Sequence, residues 1–311
     1  MSEMRDILLE QVERLLADQS SPATLRAVEA GEFPADLWAA FEALGLPLAM
    51  ATEEAGGVGL GWDDAVAVWV AMGRAGAPVP LAETMAAAAL VDAPPVGFIA
   101  LAQPDGMTLW GRHAAQVLAG DGRLHAASFT QGKAMPSNEP LDRASLPGGE
   151  ATLLAGALVN AAKMAGGLEA VLTLSVEYAN MRKQFGKPIG QFQAVSQQLS
   201  QAAGEVAAAS VAVANAGRAS ARRGLAGAAF EIAAAKVVTG EAVALVAGVA
   251  HQVHAAIGFT QEYHMHFTTR RLWAWRDAFG TERFWAERLG RAALGRGGAN
   301  LWPDLVARED A

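Results

Sequence analysis

Two stretches of this chain carry side chains whose type and spacing suit chemistry. In the first, a helix-forming segment arrives at Tyr178-Ala179-Asn180-Met181-Arg182 and breaks at Gly186 and Pro188, and a second long helix starts near Gln191. Pro lacks an N–H and disfavours helical geometry in the residue before it, so the break is expected there. A new helix start offers unpaired N–H groups and the positive end of a dipole. Arg182 and Lys183 add charge beside it, which suits a phosphate or pyrophosphate. Gln184 can hydrogen-bond and Phe185 can stack, which suits an adenine nucleotide. The plainer reading is an ordinary helix corner with a solvated Arg. The second stretch, His251 to His266, crowds four histidines into sixteen residues. His251 and His254 could share a helix face as metal ligands do, but no Cys lies nearby and a metal is not expected.

Residue by residue, the first stretch closely resembles the R-x-Q-F-G-x-P-I-x-x-F-Q signature of the acyl-CoA dehydrogenase family. Arg182, Gln184, Phe185, Gly186, Pro188, Ile189, Phe192 and Gln193 stand at its positions. Gln252-Val253-His254-Ala255-Ala256-Ile257-Gly258-Phe259-Thr260, with Glu262 and Tyr263, is similar to a second family segment. Leu37-Trp38, Leu44-Gly45-Leu46, Glu53-Glu54 and Gly56-Gly57-Val58-Gly59-Leu60 resemble a third. The resemblance implies FAD as cofactor, with Arg182, Gln184, Phe185, Gln193, Gln252, Ala255, Gly258 and Thr281 as the cofactor-binding set. In the family the Arg, Gln and Phe contact an FAD held mainly by a neighbouring subunit. One departure bears on this: a glycine pair lets the backbone approach the pyrophosphate, and here Ala255-Ala256 replaces it. Glu262 matches a recurrent family Glu and is expected to hydrogen-bond structurally.

The family reaction is α,β-dehydrogenation of an acyl-CoA thioester. It needs a carboxylate in reach of the α-proton, with a pKa raised by desolvation. In most members that base precedes a Gly-Thr pair. Here Gly280-Thr281 is present, but Phe279 precedes it and cannot accept a proton. Some relatives place the base on an earlier helix, and that position falls on Gly156. Displaced candidates are Glu282 and Asp277. Three readings follow. The chain is one subunit of a heteromeric acyl-CoA dehydrogenase, of the kind found in bacterial steroid degradation, whose full-length partner carries the base, in a heterodimer or two-plus-two heterotetramer. Or it is a self-sufficient enzyme with a displaced base, as a homo-oligomer. Or it is a non-catalytic helical scaffold.

The elements that must position these residues are mainly α. Residues 1–95 read as an N-terminal helical domain, with Ile7, Leu8, Val12, Leu15 and Leu16 at helical spacing. Residues 96–149 read as a reduced β insert, with strands expected at 96–102, 108–110, 115–118 and 124–129, roughly half of what the family carries. Residues 150–311 read as a C-terminal four-helix bundle, with helices over 150–181, 191–223, 225–256 and 260–293. Gln193, Gln197, Gln201 and Glu205 form a polar stripe opposite Phe192, Val195, Leu199 and Val206. Arg218, Arg222 and Arg223 read as solvated. Trp273, Trp275 and Trp285 read as core or interface, with a lid over a bulky acyl group as the sharper alternative.

Composition sets the outer bounds. Hydrophobic residues make up 52% of 311, enough for a substantial core. Yet no uninterrupted apolar run approaches the ~18–20 residues of a membrane span, and none is expected. Met1–Gln11 is acidic and amphipathic, unlike a leader, and Cys is absent, which fits a reducing cytoplasmic location. A net charge of −8 argues against nucleic acid as the main partner.

Overall fold

The computed structural model describes residues 3–308, so Met1 and Ser2 of the N-terminal reading lie outside the described residues. Five helices come first: α1 (Glu3–Gln19), α2 (Pro22–Ala30), α3 (Ala35–Ala43), α4 (Trp62–Arg74) and α5 (Leu81–Ala88). Helix α1 buries Leu8, Val12 and Leu16 along one stripe. The Ser21 hydroxyl caps α2 by accepting from the Thr24 N–H at 3.2 Å, and Pro22 occupies the first turn. Every residue of α5 is buried, including Glu83.

The middle region holds β1 (Ile99–Leu101), β2 (Met107–Leu109), β3 (Gln116–Leu118), β4 (Leu124–His125) and β5 (Leu141–Arg143). β1 runs parallel to β3 with Ile99 opposite Gln116, β3 pairs antiparallel with β4, and β2 pairs antiparallel with β5. These strands are shorter than the sequence pattern predicts. The 96–102 strand shrinks to three residues, with Val96 left 91% exposed, and the 124–129 strand to two. Besides the β2–β5 ladder, Asp142 ties β5 to the turn that follows β2. Its fully buried carboxylate accepts from Arg112 Nε at 3.0 Å, from the Arg112 N–H at 2.7 Å and from the Gly132 N–H at 3.1 Å.

The remainder is helical: α6 (Leu153–Met181), a hairpin of β6 (Lys183–Gln184) and β7 (Lys187–Pro188), α7 (Gln193–Gly227), α8 (Ala229–His254), α9 (Met265–Asp277), α10 (Glu282–Arg296) and α11 (Leu301–Val306). Helix α7 kinks at Gly224, where φ is 69°. α6 crosses α4 so closely that a methyl group on Gly166 would stand 1.9 Å from the Val70 carbonyl oxygen, and one on Gly73 would stand 2.0 Å from that of Lys163. Only glycine permits that backbone approach.

The fourth bundle helix, expected as one rod over 260–293, is two. Residues 255–259 form a short 3-10 turn, α9 starts only at Met265, and the chain breaks again between Asp277 and Glu282. Phe279 (φ 54°) and Gly280 (φ 93°) cannot continue a right-handed helix. The fully buried Lys236 on α8 fixes this break, its Nζ donating to the carbonyls of Trp275, Arg276 and Ala278 at 3.1, 3.0 and 2.9 Å. These are the orphan acceptors of a helix end.

One hydrophobic core runs through the helical and β regions alike, from Leu8 to Trp285, and a second cluster fills the bundle between α6, α7, α8 and α9. α6 and residues 229–259 are each long and apolar enough to cross a membrane by length and composition, although no single apolar run in the sequence is that long. Within the fold 72% and 56% of those windows are buried, as core helices are.

Candidate functional site

The corner after α6 is a hairpin, not a simple helix break. Arg182 leaves the helix with ψ at 121°, and its carbonyl accepts from the Ile189 N–H at 2.8 Å. Lys183 pairs with Pro188 and Gln184 with Lys187, leaving Phe185-Gly186 as a two-residue turn. Both turn residues have positive φ, 50° and 80°. That is the primed geometry that matches strand twist, and Phe is an unusual first occupant. The ring of Phe185 is 92% exposed, with only an edge contact to Phe192 at 6.2 Å between centroids. Lys187 Nζ sits 4.5 Å above the Phe192 ring.

Arg182, Gln184 and Gln193 are all exposed beside this tip. Arg182 has no carboxylate partner and no side-chain hydrogen bond among the described residues. Helix α7 starts at Gln193 without a side-chain cap, so the positive end of its dipole lies eleven residues after Arg182 in the same corner. The corner is an unneutralised donor surface.

The second motif is held at the same end of the bundle. Tyr178, one turn before Arg182, stacks on His254 of α8 at 4.5 Å, and His254 Nε2 lies 3.2 Å from the Tyr263 hydroxyl. Burial lowers the His254 pKa, against the Ala250 carbonyl that its Nδ1 meets at 2.8 Å. Gln252 and Ala255 are exposed, and Ala255 takes φ 52°, a conformation that glycine adopts more freely. Gly258 is buried against His254 and Met265. Glu262, expected to hydrogen-bond, is exposed without a side-chain hydrogen bond among the described residues, and Tyr263 makes the contact instead. Arg223, expected in solvent, pairs with the buried Glu231 at 2.9 Å, while Arg218 and Arg222 are exposed.

Thr281 does not join this set. Its hydroxyl caps α10, accepting from the Phe284 N–H at 3.3 Å. The adjoining Glu282 packs on Gly240, twelve residues before Gln252 on α8, or roughly 18 Å along the helix axis.

At that second location the two positions that could carry a base meet. A methyl group on Gly156 would stand 2.2 Å from the ring of Phe279, so the aromatic ring occupies the space a side chain at 156 would need. Phe279 is 3% exposed, its N–H donates to Gln103 Oε1 at 2.9 Å and its carbonyl accepts from Trp285 Nε1 at 3.0 Å. Of the displaced candidates, Asp277 lines the cavity beside Phe279, and Glu282 does not. Burial pushes the Glu282 carboxyl up, but its hydrogen bonds and ion pair with Arg276 outweigh this and hold it below the usual range. A carboxylate so engaged is a poor proton acceptor. Trp275 and Trp285 are buried core, as expected, and Trp275 is also a cavity wall.

The same cavity holds groups that motif reading missed: Glu83, Glu139 and Asn160, all buried. A signal existed. Glu83 is the one charged residue in Leu81–Val91, and Lys163, its partner across the core, is the one charged residue in the Ala-rich half-helix Leu153–Leu168. Lone charges in apolar helices are paired or costly.

Comparison with known proteins settles the family. Residues 2–95 match the acyl-CoA dehydrogenase N-terminal domain and residues 150–294 the C-terminal domain. The chain belongs to the acyl-CoA dehydrogenase family. It is 31% identical over 303 residues to acyl-CoA dehydrogenase IpdE2 of Mycobacterium tuberculosis, covering 86% of this chain and 91% of that one. Among solved structures it resembles the ChsE4-ChsE5 complex from Mycobacterium tuberculosis (TM-score 0.78, 23% identity, 95% of this chain and 98% of that chain). It also resembles the Tcur3481-Tcur3483 steroid ACAD G363A variant (TM-score 0.80, 22% identity, 96% and 99%). The expected mainly α acyl-CoA dehydrogenase fold is therefore borne out, and solved proteins of this fold include FAD complexes. The residues at the Arg182 corner fit the dinucleotide tail of FAD: an exposed guanidinium without a partner, an exposed ring and an uncapped helix start stand close along the chain.

Proposed function

We propose that this chain completes the FAD site of a heteromeric acyl-CoA dehydrogenase. Arg182 and the α7 start neutralise the pyrophosphate, Gln184, Gln193 and Gln252 supply further polar contacts, and Phe185 packs on the adenine side. Bound FAD supplies the hydride acceptor for dehydrogenation of an acyl-CoA thioester. The base that takes the α-proton comes from a full-length partner subunit. The observation that carries this reading is the pairing of an exposed, unneutralised corner with plugged base positions: Phe279 fills the space of both. The heteromeric and steroid-acting relatives support a partner subunit and a bulky, steroid-derived thioester. In this reading residues 1–95, 96–149 and 150–311 remain the three working units, with 96–149 too small to hold a flavin ring alone.

The test is to express the chain with and without a full-length homologue encoded beside it and to count flavin per chain. The expected result is flavin only in the co-purified complex, with turnover lost when the partner's base is replaced. A yellow, active lone chain would favour a self-sufficient enzyme, for which Asp277, facing the cavity beside Phe279, is the first residue to replace.

A further inference from the structure

A separate cavity of about 560 Å³ lies where α2, the end of α8 with the turn after it, and α9 meet. Ligand pockets run from about 300 to 1,000 Å³. Its charged lining is Arg26, Glu29 and Arg270. Glu29 is already matched, since Arg270 Nη2 donates to both of its carboxylate oxygens at 2.7 Å. Arg26 is exposed, and among the described residues it has no carboxylate partner and no side-chain hydrogen bond. Its guanidinium stands 6.0 Å from the centre of the Phe267 ring. His251 and His266 also line the cavity, but burial lowers the pKa of both, so near pH 7 neither adds a full charge. The remaining polar lining, Gln261 and Thr269, is neutral. One positive charge, on a side chain that solvent reaches, is left over.

The apolar lining is aromatic: Phe259, Phe267 and Trp273. Phe267 is only 2% exposed, and Arg276 lies over the Trp273 ring at 5.0 Å. Phe259 is the open ring. It is 71% exposed and is held by stacking on His251, with centroids 4.3 Å apart and 21° between the planes. A free guanidinium and an open aromatic ring in one cavity suit an organic anion whose charge sits on a planar ring. One free cation with the Glu29 carboxylate beside it suits a single negative charge, and it disfavours the two or more charges of a phosphate ester. We propose that this cavity is a binding site for an aromatic carboxylate, with Arg26 pairing with the carboxylate and Phe259 stacking on the ring. The proposal goes beyond the flavin reading and does not rest on it, because neither Arg26 nor Phe259 belongs to the cofactor-binding set.

Four probes test it by calorimetric titration of the full chain, in whichever assembly it purifies. 2-Naphthoate carries both the charge and the planar ring. 2-Naphthamide keeps the ring without the charge, decahydro-2-naphthoate keeps the charge without the ring, and AMP is an aromatic phosphate ester. 2-Naphthoate is expected to bind about threefold or more tighter than each of the others. Arg26→Gln is expected to erase the preference over the amide, and Phe259→Leu the preference over the decahydro acid. Equal affinities, a preference that its variant keeps, or no binding of 2-naphthoate up to its solubility limit would overturn the proposal. Tighter binding of AMP would overturn it too, by making the cavity a nucleotide site. The wild-type comparison needs no variant, so a misfolded variant leaves the test intact. Flavin occupancy of the assembled complex, measured in parallel, is expected to stay unchanged in Arg26→Gln. Its loss would overturn the separation of this cavity from the cofactor site.

Discussion

Two Phe-Gly turns in this chain share sequence and backbone but not surroundings. Phe185-Gly186 has φ of 50° and 80°, and Phe279-Gly280 has φ of 54° and 93°. A left-handed conformation costs a non-glycine residue about 1–2 kcal/mol. At Phe279 the cost is offset inside the chain. The ring is buried against Gly156, Gln103 and Trp285 bond its backbone, and Lys236 caps the helix end before it. At Phe185 the offset within the described residues is slight: the Gln184–Lys187 pairing closes the turn, but the residue is 92% exposed with only an edge contact to Phe192, and Arg182 beside it has no partner. The 279 turn is explained by the chain's own core. The 185 turn is not, and this contrast is why we propose the 185 corner, and not the 279 turn, for the flavin tail.

The contrast can be broken or sharpened by substitution. The largest effect is expected from Phe279→Ala, which empties the space between α6 and α9. Stability should fall by about 3–5 kcal/mol in denaturant titrations. A loss below 1 kcal/mol would mean that Phe279 is not the plug described. Arg182→Ala should leave the melting temperature of the chain alone within the small range of surface substitutions, about 0.5 kcal/mol. In the assembled complex it should lower flavin occupancy about tenfold or more, read by absorbance per chain. Unchanged occupancy would move the cofactor away from this corner.

Lys236→Met removes the donor to three carbonyls and should cost about 1–3 kcal/mol. It should also change the pH dependence. Burial lowers Lys236 from 10.5 to about 7, against the charges of Asp277 and Glu282. The unfolded chain then binds more protons than the folded one between about pH 7 and 10.5. Wild-type stability should gain a positive slope with pH in that window, which the variant lacks. Parallel pH profiles would show that the carbonyl cage holds the lysine charged throughout. The smallest effect is expected at Phe185→Gly. Relieving the strained turn should stabilise the isolated chain by up to about 1 kcal/mol, while weakening assembly or flavin retention. If stability rises and the complex is unaffected, Phe185 has no partner to meet.

Motif spacing made the two segments of the proposed site legible in the sequence. Arg182, Gln184, Phe185, Gln193, Gln252, Ala255 and Gly258 lie in two segments that each fold locally, and the Tyr178–His254 stack holds both at one end of the bundle. Thr281, which the resemblance adds to this set, stands at a different place in the fold, where its hydroxyl caps α10. Helices with clear apolar periodicity were readable for the same reason, while the 260–293 rod was not. Its break depends on Lys236, a residue from another helix reaching three carbonyls, and no local pattern reports that. The strands are shorter than their alternation predicts, because ladder pairing spans three residues at most in each, and the Asp142–Arg112 contact that also ties the region together joins residues thirty apart.

The sequence by itself determined the family, the helical periodicity, the absence of a carboxylate at positions 279 and 156, and the cationic corner. These depend on residue identity and short spacing alone. Tertiary structure decided that 279 and 156 face each other, that one Phe-Gly turn is sealed and the other open, and that Glu83, Glu139 and Asn160 share a cavity. Those facts arise where residues far apart in the chain compete for the same volume and the same hydrogen bonds, and that competition exists only once the chain has closed on itself.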